Sequence, residues 1–435
     1  MAECSAWGLY PKVECKKKGF RTIDSLREIL QSEDIIPYIP YGNGRSYGDS
    51  ALSHTIIETQ SRDAFIDFDE EEGLLCVEAG VLLADILEHF VPKGWFLKVT
   101  PGTKLITVGG ALASDVHGKN HHIEGCFSSC VESFDLMLHS GEVVTCTKEE
   151  TPELWQATCG GMGLTGVILR VNLFLKPISS STILQTTIKT SNLQETFEAF
   201  ESYEKSSYSV AWIDCLATGE SIGKSLLMVG EFEENGSCHY QRKKEKSIPF
   251  MFPSFALNKW SVKAFNWLYY NRIKERVSSQ QVDIDTFFYP LDAIGHWNRI
   301  YGKSGFTQYQ FILPKAESYE GLREILETIA ASGKGSFLAV LKLYGPANEN
   351  WLSFPMEGYS LALDFKIEPG VFTLLDRLDE IVIRYRGRIY LTKDVRVTQE
   401  TFEKGYPMID RFRDFRKREG MKGIIDSYQS QRVGI

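Results

Sequence analysis

The residues best suited to chemistry lie between Thr100 and His122, where glycines and small side chains lead into a polar run. The segment reads T-P-G-T-K-L-I-T-V-G-G-A-L-A-S-D-V-H-G-K-N-H-H. Glycines and small residues let a backbone approach a flat or phosphorylated ligand closely and offer it N–H groups. We therefore predict a loop and short helix that cradle a cofactor.

Two further glycine clusters flank this segment, G-N-G-R-S-Y-G-D at 42–49 and G-G-M-G-L-T-G at 160–166. The first is not the dinucleotide fingerprint G-x-G-x-x-G, because its third glycine comes one place late and no clear helix follows. It predicts a turn that contacts phosphate, with Arg45 available for charge; the alternative is a tight surface turn. One extended ligand that touches all three clusters is the more economical account.

His117, His121 and His122 raise the question of a metal. Gly118 interrupts any helical pairing, and no carboxylate or thiol lies at a ligand spacing. We predict no metal site. His117 is instead expected beside the bound cofactor, and His121 and His122 are expected to be structural.

Composition restricts the class of protein. A chain of 435 residues predicts two domains, and 43% hydrophobic with 24% charged residues is typical of a globular core. The net charge of −9 argues against nucleic acid as a partner. Nine cysteines without a C-x-x-C pair indicate a reducing compartment and argue against a disulfide framework or a zinc site. Neither a secretory leader nor a membrane-spanning run is expected.

The pattern of elements predicts an α+β fold in two domains. Residues 1–177 form an α+β unit, in which Thr22 caps a first helix whose stripe contains Ile23, Leu26 and Leu30. Residues 178–387 alternate strands with single helices, which indicates a mostly antiparallel sheet with flanking helices. Residues 388–435 begin with a strand at Ile389 to Thr392 and are expected to pack back on the first domain.

The stretch from Arg242 to Arg276 differs from the rest of the chain. It has nine basic and two acidic residues and carries eight aromatic side chains. Leu257, Trp260, Ala264 and Leu268 would share one helical face. Basic residues with interfacial aromatics predict contact with an anionic membrane surface; the alternative is an ordinary amphipathic helix on the second domain.

The motifs together resemble a known family. The 101–122 segment, G-N-G-R-S-Y-G-D, Y-L-T-K-D at 390–394 and W-N-R-I-Y-G-K-S-G-F-T-Q-Y-Q-F at 297–311 are similar to those of flavin oxidases of the vanillyl-alcohol-oxidase type. The resemblance is strongest to the branch that oxidises the ribose of polyprenyl phosphates. It covers nearly the whole chain and implies a PCMH-type FAD-binding domain followed by a substrate domain over the flavin ring, with FAD held non-covalently.

The resemblance also implies site residues. The implied FAD contacts are Pro40, Tyr41, Gly42, Asn43, Gly44, Arg45, Ser46, Tyr47, Gly48, Asp49, Ser50, Gly102, Thr107, Val108, Gly109, Gly110, Ser114, Asp115, Val116, His117, Ile168 and Tyr390. The implied substrate contacts are Tyr47, Lys119, Trp212, Gln308, Gln310, Lys342 and Ser360. Actinobacterial members have a cysteine and an asparagine where this chain has Ala362 and Ser360, so the details of the substrate pocket differ.

Lys393, Tyr289 and His117 are the implied catalytic residues. Lys393 is expected to take the hydroxyl proton, which requires a lowered pKa, or else to be a fixed positive charge; a solvated lysine at a strand end is the third alternative. If 390–394 begins as a strand, Tyr390 and Lys393 point to opposite faces. Tyr289 would relay the proton or merely pack.

Three functions remain open at this point. The first is oxidation of a polyprenyl-phosphate-linked ribose to its 2′-keto sugar, with an NAD(P)H-dependent short-chain reductase completing an epimerisation to the arabinose form for cell-envelope polysaccharide. This places the protein in the cytoplasm, peripheral to the inner face of the membrane. The second is oxidation of a soluble alditol or aldonolactone, and the third is non-catalytic binding of a sugar lipid. The basic aromatic stretch favours the first.

Overall fold

The computed structural model describes residues 1–242, 246–253 and 255–435. Lys243, Lys244 and Glu245, which contribute to the basic stretch, lie outside the described residues, as does Ser254. Three sheets organise the chain in sequence order. Helices combine with mostly antiparallel sheets, so the predicted α+β class is confirmed.

The first sheet has four strands, in the order β1-β2-β4-β3. They are β1 (Ala2–Cys4), β2 (Val13–Gly19), β3 (Tyr38–Tyr41) and β4 (Thr55–Glu58). Helix α1 (Ile23–Leu30) connects β2 to β3, and the Thr22 side chain caps it by accepting a hydrogen bond from the Ser25 N–H. Leu26 and Leu30 are buried as predicted, whereas Ile23 is exposed because it lies on the outer side of the first turn.

The second sheet has six strands. They are β5 (Phe65–Asp69), β6 (Leu74–Glu78), β7 (Trp95–Leu97), β8 (Val131–Met137), β9 (Val143–Cys146) and β10 (Val167–Pro177). The long strand β10 pairs with β6, β7 and β8, so it organises this sheet. The helices between these strands are α2 (Leu83–Phe90), α3 (Val108–Ala113), α4 (His121–Glu124) and α5 (Pro152–Thr158).

The third sheet has eight antiparallel strands in the order β14-β11-β13-β12-β16-β17-β15-β18. They are β11 (Thr182–Thr190), β12 (Tyr208–Ile213), β13 (Ser225–Phe232), β14 (Val277–Asp283), β15 (Phe306–Pro314), β16 (Ala339–Tyr344), β17 (Gly358–Lys366) and β18 (Arg388–Ile389). The accompanying helices are α6 (Leu193–Ser202), α7 (Lys259–Asn271), α8 (Ile284–Phe288), α9 (Ser318–Ser332) and α10 (Val371–Arg384).

The last segment leaves the third sheet after β18 and crosses to the first. Its helices are α11 (Gln399–Gly405), α12 (Ile409–Arg418) and α13 (Tyr428–Val433). The Tyr38 N–H of β3 donates to the Ile424 carbonyl at 3.0 Å. Arg432 forms ion pairs with Asp49 at 2.7 Å and with Asp394 at 2.9 Å. The C-terminal segment therefore contacts the first glycine cluster, because Asp49 belongs to that cluster.

Two sequence expectations are wrong in detail. The strand expected at Ile389 to Thr392 ends at Ile389, and Leu391–Lys393 forms a 3-10 turn instead. Cys4 and Cys15 form a disulfide, which a count of cysteines could not predict because the pairing of β1 with β2 brings them together. Among the described residues, no helix is long and apolar enough to cross a membrane.

Candidate active site

A single cavity of about 710 Å³ lies where the glycine clusters face the third sheet. Residues of all three clusters line it, as do side chains of β12, β15, β16 and β17 and the turn at Leu391–Lys393. This size falls in the range of pockets that hold small molecules and cofactors, roughly 300–1,000 Å³. The prediction that one ligand could touch all three clusters therefore agrees with their placement.

The glycines shape the floor of the cavity. A Cβ added at Gly42 would lie 2.4 Å from the Thr107 hydroxyl, so the first cluster can pack against the start of α3 only without a side chain. At Gly102 a Cβ would meet nothing within 4 Å, so the Pro-Gly corner presents bare backbone to open space. A floor of bare backbone fits a flat, phosphorylated cofactor such as FAD.

The turn at 391–393 and the residue before it are hydrogen-bonded to this floor. The Tyr47 N–H donates to the Thr392 carbonyl at 3.0 Å, and the Tyr390 hydroxyl donates to the Ser114 carbonyl at 3.0 Å. In a 3-10 turn, side chains three positions apart lie above one another. Tyr390 and Lys393 accordingly both line the cavity, whereas the predicted strand would have put them on opposite faces.

The wall opposite the floor is one face of the third sheet. Trp212, Val340, Ala362 and Gln310 are consecutive cross-strand partners on four neighbouring strands, and all line the cavity. Alternate residues of a strand share a face, which explains why Gln308 also faces the cavity two positions before Gln310. The strand register thus brings distant sequence positions into one row.

Three lysines reach the cavity from different elements. Burial lowers the pKa of Lys393 to about 7, with Asp364 opposing the shift and Lys342 adding to it. Burial also lowers the pKa of Lys342 to about 8. It lowers that of Lys119 well below its usual range, and this side chain donates to the Phe287 and Phe288 carbonyls.

Lys393 lies in a specific electrostatic setting. Its Nζ atom is 4.0 Å from the centre of the Tyr47 ring, a cation–π distance. Asp364 is buried beside it and accepts hydrogen bonds from Gln308 at 2.6 Å and from the Tyr301 hydroxyl at 3.3 Å. Burial raises the pKa of Asp364 to about 7. Burial therefore favours the neutral form of both the lysine and the carboxyl.

His117 is held between aromatic rings and the sheet. Its Nε2 lies 3.2 Å from the Gln310 amide nitrogen, so a neutral ring accepts there and carries its proton on Nδ1. Burial, followed by Lys342, His121 and Lys393, lowers its pKa well below the usual value. Within the described chain the buried Nδ1 has no partner, which fits a polar atom of a bound cofactor.

Most of the predicted site residues lie in the cavity wall. Of the FAD contacts, these are Pro40, Gly42, Asn43, Gly44, Arg45, Ser46, Tyr47, Ser50, Gly102, Thr107, Gly109, Gly110, Ser114, Val116, His117, Ile168 and Tyr390. All the predicted substrate residues line it as well, namely Tyr47, Lys119, Trp212, Gln308, Gln310, Lys342 and Ser360. Lys393 completes the wall on the side of the C-terminal segment.

The remaining predicted residues have other partners. The wall does not include Tyr41, Gly48, Asp49, Val108, Asp115 or Tyr289. The Tyr289 hydroxyl is buried against the Thr100 hydroxyl at 2.6 Å, an arrangement that favours packing over proton relay. Asp115 turns away from the cavity and accepts hydrogen bonds from Asn348, Asn350 and Ser353.

His121 and His122 have structural contacts, in keeping with the prediction made for them. His121 Nδ1 accepts from the Gly345 N–H at 3.1 Å, and His122 Nε2 lies 2.9 Å from the Ser206 carbonyl. The sequence reasoning missed other wall residues, including Trp7, Trp297, Tyr269 and Arg272. Tyr269 and Arg272 belong to the basic aromatic stretch, and the composition of that stretch was the signal that could have identified them.

Comparison with known proteins agrees with this geometry. The model of a family described as FAD binding domain matches residues 20–147, which hold two of the glycine clusters. The decaprenylphosphoryl-β-D-ribose oxidase of Mycolicibacterium smegmatis is 34% identical over 91% of this chain and 89% of its own. The L-gulonolactone oxidase of Mus musculus is 24% identical over 89% of this chain and 87% of its own.

A shorter similarity is to a dehydrogenase. Cytokinin dehydrogenase 2 of Arabidopsis thaliana is 29% identical over 31% of this chain and 27% of its own length. The extended match to the ribose oxidase, the FAD domain and the cavity agree with one another. The chain is an FAD-dependent oxidoreductase that acts on CH–OH groups, and it belongs to the vanillyl-alcohol-oxidase-type flavoprotein family, with decaprenylphosphoryl-β-D-ribose oxidase as a relative.

Proposed function

We propose that this enzyme oxidises the 2′-hydroxyl of a polyprenyl-phosphate-linked ribose to the 2′-keto sugar. The observation that carries the proposal is the cavity wall: three lysines, together with Gln308 and Gln310, face bare glycine backbone across one space. Glutamine amides and lysine side chains can both form hydrogen bonds with the hydroxyl groups of a sugar. The similarity to a ribose oxidase supports the same substrate class.

FAD, when bound, supplies the acceptor for the hydride that leaves the carbinol carbon. Lys393 in its neutral form takes the hydroxyl proton onto Nζ as the O–H bond breaks. Gln310 orients His117 and the Ser360 hydroxyl through its amide, and its carbonyl oxygen can accept from a sugar hydroxyl. Asp364 orients Gln308 in the same way from the other end of the wall.

The proposal includes a partner enzyme and a location at the membrane. The keto sugar would be reduced by a separate NAD(P)H-dependent short-chain reductase, which completes an inversion at C2′. Contact with the inner face of the membrane is supported by α7, whose outer face is apolar and exposed: Trp260 is 76%, Trp267 62% and Leu268 62% accessible. Leu257, expected on the same face, packs instead against the cluster around Trp297.

Anaerobic bleaching of the flavin by candidate substrates tests the function. Prenyl-phosphoryl ribose is expected to bleach it and xylitol is not. Bleaching by xylitol alone would favour the soluble polyol oxidase, for which the similarity to L-gulonolactone oxidase is the supporting observation. A flavin that neither compound reduces would favour the non-catalytic binding protein.

Non-covalent attachment of FAD is a separate part of the proposal. His117 accepts from Gln310 through Nε2 and is packed by the rings of Tyr344, Phe354 and Tyr390. Acid precipitation of the holoenzyme is expected to release the yellow colour into the supernatant. Flavin retained in the pellet after washing would show a covalent link and contradict this prediction.

A further inference from the structure

The C-terminal end of α7 belongs to two surfaces at once. Tyr269, Arg272 and Ile273 line the cavity, while Trp267 and Leu268, a few positions earlier, face solvent. The helix therefore forms part of the rim that separates the interior of the cavity from the exposed apolar face. A ligand that extends from the cavity across this rim would pass these residues.

The helix is fixed in this position by its inner side. Asn266 donates to the Asp214 carboxylate at 2.7 Å, and the Tyr270 hydroxyl donates to the Thr190 carbonyl at 2.9 Å. Lys189 Nζ donates to the Ile273 carbonyl at 2.7 Å, just beyond the end of the helix. The rim is thus built before any ligand arrives, and an ordered rim lowers the entropic cost of binding.

Arg272 is held in a way that suits recognition of an anion. Its guanidinium carbon lies 3.8 Å from the centre of the Tyr269 ring, and Tyr269 lies 4.9 Å from Trp212. Stacking occupies the face of the guanidinium and leaves its N–H edge for acceptors. Within the described chain, no carboxylate forms an ion pair with Arg272, although it lines a cavity.

We propose that Arg272, stacked on Tyr269, binds the phosphodiester of the substrate at the rim, with the sugar inside the cavity and the prenyl chain on the outer face of α7. This rests on the proposed function, because it assigns a place to the phosphate of that substrate. A guanidinium binds phosphate oxygens in a bidentate manner, with geometric specificity that an ammonium lacks. Lys274 adds positive charge nearby.

Titration of the FAD-loaded enzyme with farnesyl phosphate tests the subsite without any turnover. Arg272→Gln is expected to weaken binding by about 10- to 100-fold, since a charge-assisted hydrogen bond is lost. Arg272→Lys should recover part of the affinity. Arg276→Gln is the matched control, because Arg276 lies outside the cavity wall; its affinity should equal that of the wild type. Unchanged affinity in Arg272→Gln overturns the proposal.

Two further measurements separate the alternatives. Farnesol, which lacks the phosphate, should bind Arg272→Gln and wild type equally; a matching loss for both ligands would mean that the variant damages the pocket and overturns the proposal. Flotation with phosphatidylglycerol vesicles should be the same for both proteins. Lost flotation with retained farnesyl phosphate affinity would assign Arg272 to the bilayer instead.

The outcome is distinguishable from that of the proposed function. Arginine-dependent binding of farnesyl phosphate without bleaching by prenyl-phosphoryl ribose leaves the phosphate subsite in place and removes the oxidation. Normal bleaching in Arg272→Gln with an unchanged KM leaves the proposed oxidation in place and removes the phosphate subsite. Raised KM with unchanged kcat supports both, because the phosphate contact then contributes equally to substrate and transition-state binding.

Discussion

Lys393 lies against the Tyr47 ring, at the junction of the first glycine cluster and the C-terminal segment. Lys393→Ala should leave FAD bound, because the glycine floor does not depend on that side chain. Flavin bleaching by prenyl-phosphoryl ribose is expected to slow by about 10²–10⁴-fold, the usual cost of losing a general base. Lys393→Arg should not restore the rate, since arginine stays protonated.

The matched control for this prediction is Lys303→Ala, which changes an exposed lysine in a loop and should bleach normally. Stopped-flow absorbance under anaerobic conditions gives the rate for each protein. A Lys393→Ala enzyme that retains FAD and is reduced at the wild-type rate would remove Lys393 from the mechanism.

Lys393 gives the reaction its pH dependence, and Asp364 shifts the pH at which the change occurs. A neutral Lys393, with a pKa of about 7, accepts the proton, so the rate of flavin reduction should rise as pH increases through about 7. The Asp364 carboxylate raises the pKa of Lys393. Asp364→Asn should therefore lower the pKa of Lys393. The rising limb of the plot of flavin reduction rate against pH should then move to lower pH.

The other groups that face Lys393 remain in this variant. Lys342 lowers the pKa of Lys393, and His117 and Tyr47 adjoin it in the same wall. Asp376→Asn, which alters an exposed carboxylate paired with Arg396, is the control and should leave the profile unchanged. A limb that stays in place or moves to higher pH in Asp364→Asn would contradict the assigned coupling.

At the scale of elements, Asp115 joins the end of α3 to the loop before β17. Its carboxylate accepts from the Ser128 N–H at 3.0 Å and from three side chains of residues 348–353, and it is fully buried. Asp115→Ala would leave these buried donors unpaired. We expect the free energy of unfolding to fall by about 2 kcal/mol or more.

Urea unfolding followed by far-UV circular dichroism measures this loss. Asp24→Ala, which removes an exposed carboxylate paired with Arg27 within α1, should change the midpoint very little. Equal midpoints for Asp115→Ala and wild type would show that the hydrogen bonds of the Asp115 carboxylate contribute nothing to stability.

Local sequence patterns predicted helices, strands and turns better than they predicted which way the side chains point. The cap at Thr22, the strands around β6 and the glycine turns follow from residue types at short spacing. The same patterns could not tell that Asp115 turns away from the cavity, because its partners at 348–353 are more than 230 positions away. The sheet row that contains Trp212 and Gln310 likewise depends on long-range register, and these residues came from the resemblance.

The strand expected at the start of the last segment illustrates the same limit. Ile389 to Thr392 has the composition of a strand, but only Arg388–Ile389 pairs with β15. The backbone then turns so that Thr392 can accept from the Tyr47 N–H. A contact with a residue near the other end of the chain overrides the local preference, and it moves Lys393 to the side of Tyr390.

At the scale of the whole molecule, the exposed apolar face of α7 leads us to predict that the protein binds lipid vesicles. A protein with Trp260 and Trp267 changed to Ser should bind phosphatidylglycerol vesicles more weakly, because buried aromatic area at the interface is lost. Binding of the wild type should also weaken with salt, since the Debye length falls from about 10 Å at 0.1 M to about 3 Å at 1 M.

The control changes two exposed apolar side chains elsewhere, Ile66 and Leu184, to Ser; they are 47% and 49% accessible. Flotation of that variant should match the wild type. Equal flotation of all three proteins, or binding that ignores salt, would count against a role of α7 at the membrane.

The ion pair between Arg432 and Asp49 has a consequence for how the protein is made. The two residues are 383 positions apart, so a ribosome producing about 5–20 residues per second completes the first glycine cluster long before the residue that braces it. Until then the loop lacks Thr392, Lys393 and Arg432. We therefore expect flavin capture to be a late event in biogenesis, completed only after residues 392–432 have been made.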